Sequence, residues 1–230
     1  VPRSLYVGTA HTLEFANGSD ALDLVDAASP ILSVEPPEAF GFDGRLPPAE
    51  VVFGNPGLSA KSYRVPDGEV LSAVGGDVRV SNRTRVQAFG GRVQLAAVGS
   101  AVTEVPVDLA DFDVAPDAAT SLGTVRVETQ STLDTAPFDP NVPQGTVVIR
   151  AGRFVLDDRS LVRGGGRIDG TGAAVDVAVA DRVTISNRSE LRSEAQGALP
   201  SGGVRVRAGA IDVTDDSIVR SRVFAFAPGA

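Results

Sequence analysis

The sequence predicts an all-β fold built as coils of a parallel β-helix, and three observations lead there. The first is a repeat in the last third of the chain. Aligning GTVVIRAGRFVLDDRSLVR, AAVDVAVADRVTISNRSELR and GGVRVRAGAIDVTDDSIVR puts Leu156, Ile185 and Val213 in one column and Ser160, Ser189 and Ser217 in another, spaced by 29 and then 28 residues. The second is strict alternation inside each copy, where Val147/Ile149, Val175/Val177 and Val204/Val206 coincide at 28 and then 29 residues. The third is the near absence of a 3.6-residue period, with Gly, Asn or Asp at the corners between short strands. A unit of under thirty residues cannot bury its own apolar face, so it must stack on copies of itself.

Composition narrows the function. Of 230 residues 43% are apolar, enough for a continuous core, and no apolar run approaches the ~20 residues of a membrane helix, so no membrane insertion is expected. A net charge of -8 and a pI of about 4.7 repel phosphate backbones and anionic lipid, which argues against nucleic acid as a partner. Lys61 is the only lysine among 21 basic residues, and no arginine cluster breaks the acidic background. Without Cys there are no disulfides and no thiolate metal sites, leaving the stacked core to supply stability. The chain opens at Val1 without a charged and apolar leader and is expected to be part of a longer protein.

Along the chain, residues 1 to about 45 read as the strand-like LYVGTAHTLEFANGS followed by ILSVEPPEAFGF, where Pro30, Pro36 and Pro37 exclude helix. Residues 46–66 read as an excursion, an irregular loop or an edge strand. Regular coils resume at GEVLSAVGGDVRVSNRTRVQAFGGRVQLAAVGS, with Val78/Val80 and Val93/Leu95 facing the core and VSNRT anticipating ISNRS at 185. Residues 100–122 read as an insertion at a coil corner, as does TAPFDPNVPQG at 135–145. Roughly eight or nine coils at ~4.8 Å each would make a rod about 40 Å long.

These same segments carry a family likeness. The succession SLYVGTAHTLEFANGS, ILSVEPPEAFGF, YRVPDGEVLSAVGGDVRV and QAFGGRVQLAAVGS resembles the secretion domain of filamentous-haemagglutinin-like exoproteins, the passengers of two-partner secretion in Gram-negative bacteria. The matching positions are Pro66 and Gly68, Leu71, Val74 with Gly75 and Gly76, Gly90 to Arg92, and Val98 to Ser100. The resemblance implies a right-handed single-stranded parallel β-helix, with residues 1–118 as a partial secretion domain and 119–230 as repeat coils continuous with it. It also implies export through an outer-membrane partner pore to the cell surface or medium, and a non-enzymatic role in adhesion to host or neighbouring cells. That family's Asn-Pro-Asn-Gly signature would lie upstream of Arg3, and Asn55-Pro56-Gly57 does not match it in place or sequence.

No catalytic, cofactor or metal site is expected. His11 is the only histidine, so a Ser/His/Asp triad would need it; no strained nucleophile turn lies nearby, and it reads as a surface histidine. One His and no Cys leave zinc only carboxylates. The pairs Asp157/Asp158 and Asp215/Asp216 invite comparison with β-helical polysaccharide lyases and hydrolases, the alternative function. They recur at the corner that also holds Asn82 and Asn187, so they read as turn residues. Asp111 with Asp113, and Asp20 with Asp23 and Asp26, read as solvated surface. GGGRIDGTG at 164–172 lacks the Lys-Ser/Thr of a phosphate loop and reads as a flexible corner. Asn17-Gly18-Ser19, Asn82-Arg83-Thr84 and Asn187-Arg188-Ser189 fit the glycan acceptor pattern and read as turns. With no Trp and only Tyr6 and Tyr63, an aromatic sugar-binding groove is disfavoured, and the ten Phe read as core. A passive spacer is the third function compatible with the sequence.

Overall fold

The computed structural model describes residues 4–15, 21–23, 37–54, 59–115, 121–136, 145–165, 173–196 and 202–224. All regular structure among them is β-strand. Six successive stretches of chain supply the strands. The first holds β1 (Leu5–Gly8), then β2 (Thr12–Phe15), β3 (Ala21–Asp23) and β4 (Pro37–Phe42), then β5 (Val51–Phe53) and β6 (Ser62–Arg64). The second holds β7 (Val70–Gly75), β8 (Val78–Val80) and β9 (Arg85–Gln87), and the third β10 (Arg92–Ala97), β11 (Thr103–Pro106), β12 (Thr124–Val127) and β13 (Thr132–Asp134). The fourth has β14 (Thr146–Leu156) and β15 (Leu161–Gly164), and the fifth β16 (Val175–Ile185) and β17 (Glu190–Gln196). The sixth has β18 (Val204–Arg207), β19 (Ala210–Val213) and β20 (Ile218–Phe224).

Parallel pairing sorts these strands into three ladders. The first runs β1-β7-β10 and on to the start of β14, the start of β16 and β18. The second runs β5-β8-β12 and on to the end of β14, the end of β16 and β19. Because β14 and β16 each serve both ladders, with a register shift between Ala151 and Arg153, the two form one ten-stranded sheet that bends round a corner. The third ladder, β6-β9-β13-β15-β17-β20, is a separate six-stranded sheet. The alignments read from sequence coincide with the register: Leu156 opposes Ile185 and Ile185 opposes Val213, while Val147, Val175 and Val204 are in line. Among the described residues each ladder holds six rows, fewer than the eight or nine expected. The difference is chain length spent on an antiparallel sheet, β11-β4-β2-β3. Residues 46–66 supply β5 and β6, which end their sheets as edge strands.

One apolar cluster fills the space between the ladders. It takes Leu71, Val93, Val147 and Val175 from the first, Val78, Val125, Phe154 and Val183 from the second, and Val86, Leu133, Val162 and Leu191 from the third, all with no solvent exposure. A second cluster lies outside the first ladder, where Phe40, Phe42, Val105 and Leu109 of the antiparallel excursion cover Val74, Ala96 and Val148. That cover explains two buried polar side chains on the outward side. Gln94 accepts from the Leu109 N–H at 2.6 Å and donates to Val107 O at 3.5 Å. Arg150, 1% exposed, donates to Phe112 O at 3.1 Å and to Asp176 O and Oδ2 at 3.1 and 2.9 Å. The Gly90-Gly91-Arg92 motif also has a steric cause: a methyl group on Gly91 would collide with the Glu69 carbonyl of the row before.

The corner between the second and third ladders repeats in five rows. Its two residues are left-handed at Asn82/Arg83, Thr129/Gln130, Asp158/Arg159, Asn187/Arg188 and Asp215/Asp216, with φ from 49° to 60°. Asn and Asp tolerate this conformation; Thr, Gln and Arg do so at a cost. Cross-row bonds offset that cost. The Arg83, Gln130, Arg159 and Arg188 N–H groups each donate to the carbonyl of the first corner residue in the next row, at 2.8–2.9 Å. Immediately after the corner, the N–H groups of Thr84, Ser131, Ser160 and Ser189 donate to the hydroxyls of Ser131, Ser160, Ser189 and Ser217, at 3.1–3.2 Å. Ser160 and Ser189 are 1% exposed, so each missing hydroxyl would strand a buried N–H. Ser160→Ala is therefore expected to cost about 1–3 kcal/mol in denaturant unfolding. Ser160→Thr should retain most of that stability, because Thr84 already occupies the column.

Candidate functional site

Two arrangements concentrate polar chemistry. One lies on the antiparallel sheet, where Thr12 and Glu104 both oppose Gly41 across β4. A methyl group on Gly41 would collide with Thr12 Oγ1, so the bare glycine lets side chains of the flanking strands lean over β4. The result is a groove of about 560 Å³ that includes Thr12, Glu14, Asp43, Thr103 and Glu104. Burial pushes the Glu14 carboxyl above the usual carboxylate range, and the charges of Glu104 and Glu38 push the same way. At the rim, the Arg45 N–H donates to Asp43 Oδ1 at 3.0 Å and holds that carboxyl low, helped by the Arg45 side chain and His11.

His11 is not on the surface as expected from sequence. It is 3% exposed, its Nδ1 lies 2.5 Å from Asp43 Oδ1, and its ring tilts against Phe42. The antiparallel pairing of β2 with β4 places it there, a long-range contact that local polarity does not reveal. No hydroxyl or thiol nucleophile is bonded to it among the described residues, and among the same residues no group of three His, Cys, Asp or Glu could hold a metal ion.

The second arrangement is on the outer face of the six-stranded sheet. Arg163 donates from Nε to Asp134 Oδ1 at 2.8 Å and from Nη2 to Oδ2 at 2.5 Å, and its Nη1 reaches Glu194 Oε2 at 3.3 Å. Arg192 bridges Glu190 and Glu194, and Arg220 pairs with Glu190. The Asp134 and Arg163 side chains are only 7% and 10% exposed. Burial alone would make Arg163 easier to deprotonate; its bonds to Asp134 and the charge of Glu194 outweigh that and hold it charged. Sequence reading missed this network because its members come from rows about thirty residues apart. The visible signal was the alternation of charge with Leu133, Val162 and Leu191.

The acidic pairs recur at the corners in the columns that the sequence alignment gives. Asp158 and Asp215 are both first corner residues, whereas Asp157 matches Thr214. Burial would raise Asp157, and hydrogen bonds from Asn187 Nδ2 and Ser186 Oγ, each 2.8 Å, with the Asp158 N–H, hold it low instead. Asp111 and Asp113 lie in the excursion. Asn82 and Asn187 are corner residues. Asn17-Gly18-Ser19, Asp20, Asp26, Asn55-Pro56-Gly57 and most of 164–172 lie outside the described residues.

Chemically, the groove is an acceptor-rich surface, and the sheet-face network is a set of mutually neutralising pairs. Comparison with family models, with curated proteins and with solved structures gave no match.

Two outcomes test these assignments. Glu14 binds its proton more tightly folded than unfolded, so it costs stability above the unfolded carboxylate range and nothing well below it. Glu14→Gln should therefore raise Tm near neutral pH, with the gain vanishing at about pH 3, in thermal melts followed by circular dichroism. Arg163→Ala leaves Asp134 buried and unpaired, an expected loss of about 3–5 kcal/mol; Arg163→Met combined with Asp134→Leu should recover most of it in denaturant unfolding.

Proposed function

We propose that the chain is part of a non-enzymatic, secreted or surface-exposed exoprotein of the filamentous-haemagglutinin kind, folded as a right-handed single-stranded parallel β-helix. The observation that carries the reading is the set of three in-register parallel ladders visited in the same order by each stretch of chain. A crossover connection between parallel strands is right-handed in almost all proteins, which supports the handedness. The antiparallel sheet packed on the early rows fits a partial secretion domain over residues 1–118, continuous with repeat coils over 119–230 through the β8-β12 pairing.

Its partners on this reading are an outer-membrane transporter of a Gram-negative bacterium and receptors on host or neighbouring cells. The alternative, a β-helical lyase or hydrolase, calls for a carboxyl able to give or take a proton on an open sheet face. The carboxylates on the six-stranded sheet are instead engaged in ion pairs with arginines. Deleting the cognate transporter gene should trap the full-length protein in the periplasm, read by fractionation and immunoblot. Undiminished export would refute the proposed role.

A further inference from the structure

Basic residues form no cluster along the chain, but stacking assembles one. In the first five rows, every described arginine away from the corner between the second and third ladders has a carboxylate partner, as Arg79 has Glu50 and Arg153 has Asp181. The unpaired ones gather at that corner. Arg83, Arg159 and Arg188 hold its second position in the second, fourth and fifth rows, and Gln130 holds it in the third. Lys61 and Arg85 flank this column on the third-ladder side, and Arg126 flanks it on the second-ladder side. All are exposed, and none of their side chains has a hydrogen bond or ion pair among the described residues.

The fold itself does not call for long side chains here. The column is left-handed, with φ from 55° to 60° at its four members, and glycine would make the same cross-row backbone bonds without strain. Donors kept at such positions, touching nothing in their own chain, point to something outside it. Three carboxylates share the corner in these rows. Asp157 is engaged by Asn187 and Ser186, while Glu128 and Asp158 precede the arginine column on the second-ladder side. Glu190, on the other side, is taken by Arg192 and Arg220. Six bases against three acids leave a cationic strip on a chain whose net charge is -8. In the sixth row the column passes to Asp216, beside Asp215, and the strip ends.

We infer that this corner binds a linear acidic polysaccharide, a polymer with a carboxylate on each ring, laid along the stack axis. Rows about 4.8 Å apart are close to the rise of a single pyranose unit in an extended chain. Consecutive rings therefore present consecutive carboxylates to Arg83, Gln130, Arg159 and Arg188. Guanidinium and amide both donate to carboxylate oxygens, the guanidinium through two parallel bonds. Recognition by charge needs no aromatic platform. The same strands expose no aromatic side chain on which nucleobases could stack, which disfavours a single-stranded nucleic acid as the polyanion. The inference depends neither on the export route nor on the adhesive role proposed above.

The test uses the full chain and fluorescein-labelled tetragalacturonate, with its fully methyl-esterified form as the uncharged control, read by fluorescence anisotropy at low salt. Saturable binding of the acid form alone is expected, weakening as salt is raised. The Arg83→Gln/Arg159→Gln/Arg188→Gln variant should bind about tenfold or more weakly, and Arg188→Gln alone about threefold, with melting curves unchanged. A charge-matched variant of paired arginines, Arg79→Gln/Arg153→Gln/Arg182→Gln, should bind as the unmodified chain does. No binding of the acid form, equal binding of the ester, or equal losses in the two triple variants overturns the proposal. Tighter binding of a labelled single-stranded oligodeoxynucleotide of equal charge also overturns it, in favour of a nucleic acid.

Discussion

Everything in this fold depends on each row of strands lying in register on the next, and the corner after the second ladder is where that register is fixed most tightly. Strands alone can slip, because a shift of one residue still satisfies their backbone bonds. The corner cannot slip. Its left-handed pair is held by one N–H reaching the next row's carbonyl, and the following N–H reaches the next row's hydroxyl. Both bonds are local to a single column, so they lock all three ladders at once. The apolar columns then fall on one another, and Leu156 meets Ile185 instead of the solvent-facing Thr184.

Two kinds of surface grow from that stack. Where rows are bare, outward arginines and carboxylates pair across rows and hold them together in water, each exposed pair contributing little. Where the excursion covers the first ladder, the outward side is dry, and Gln94 and Arg150 are satisfied by backbone carbonyls and amides of the covering segment. The acidic groove of Glu14 and Glu104 sits on this added sheet, away from the repeat. Chemistry that differs from row to row is therefore concentrated where the repeat is interrupted.

Much of the stack was legible in the sequence because its constraints are periodic. The Leu156, Ile185 and Val213 column, the serine column and the match of VSNRT with ISNRS all survive in the register. The reason for the corner Asp and Asn was only half legible: they read as turn residues, whereas left-handed backbone is what the corner requires. Thr129 and Gln130 make the same turn without the signature. The antiparallel sheet, the burial of His11 and the Asp134–Arg163–Glu194 network were illegible. The first two join residues far apart in sequence and without a period, and the third follows the repeat period, but the identity of its charges varies from row to row.

The grip of Arg150 ties together parts of the molecule made at very different points along the chain. Its guanidinium clasps Phe112 O from the excursion and Asp176 from the fifth row, while the excursion's Leu109 rests on Gln94 of the third. The loop is thus a latch whose catch is assembled only when three successive rows are in place, and a stack that stalled before its fifth row would leave it unfastened.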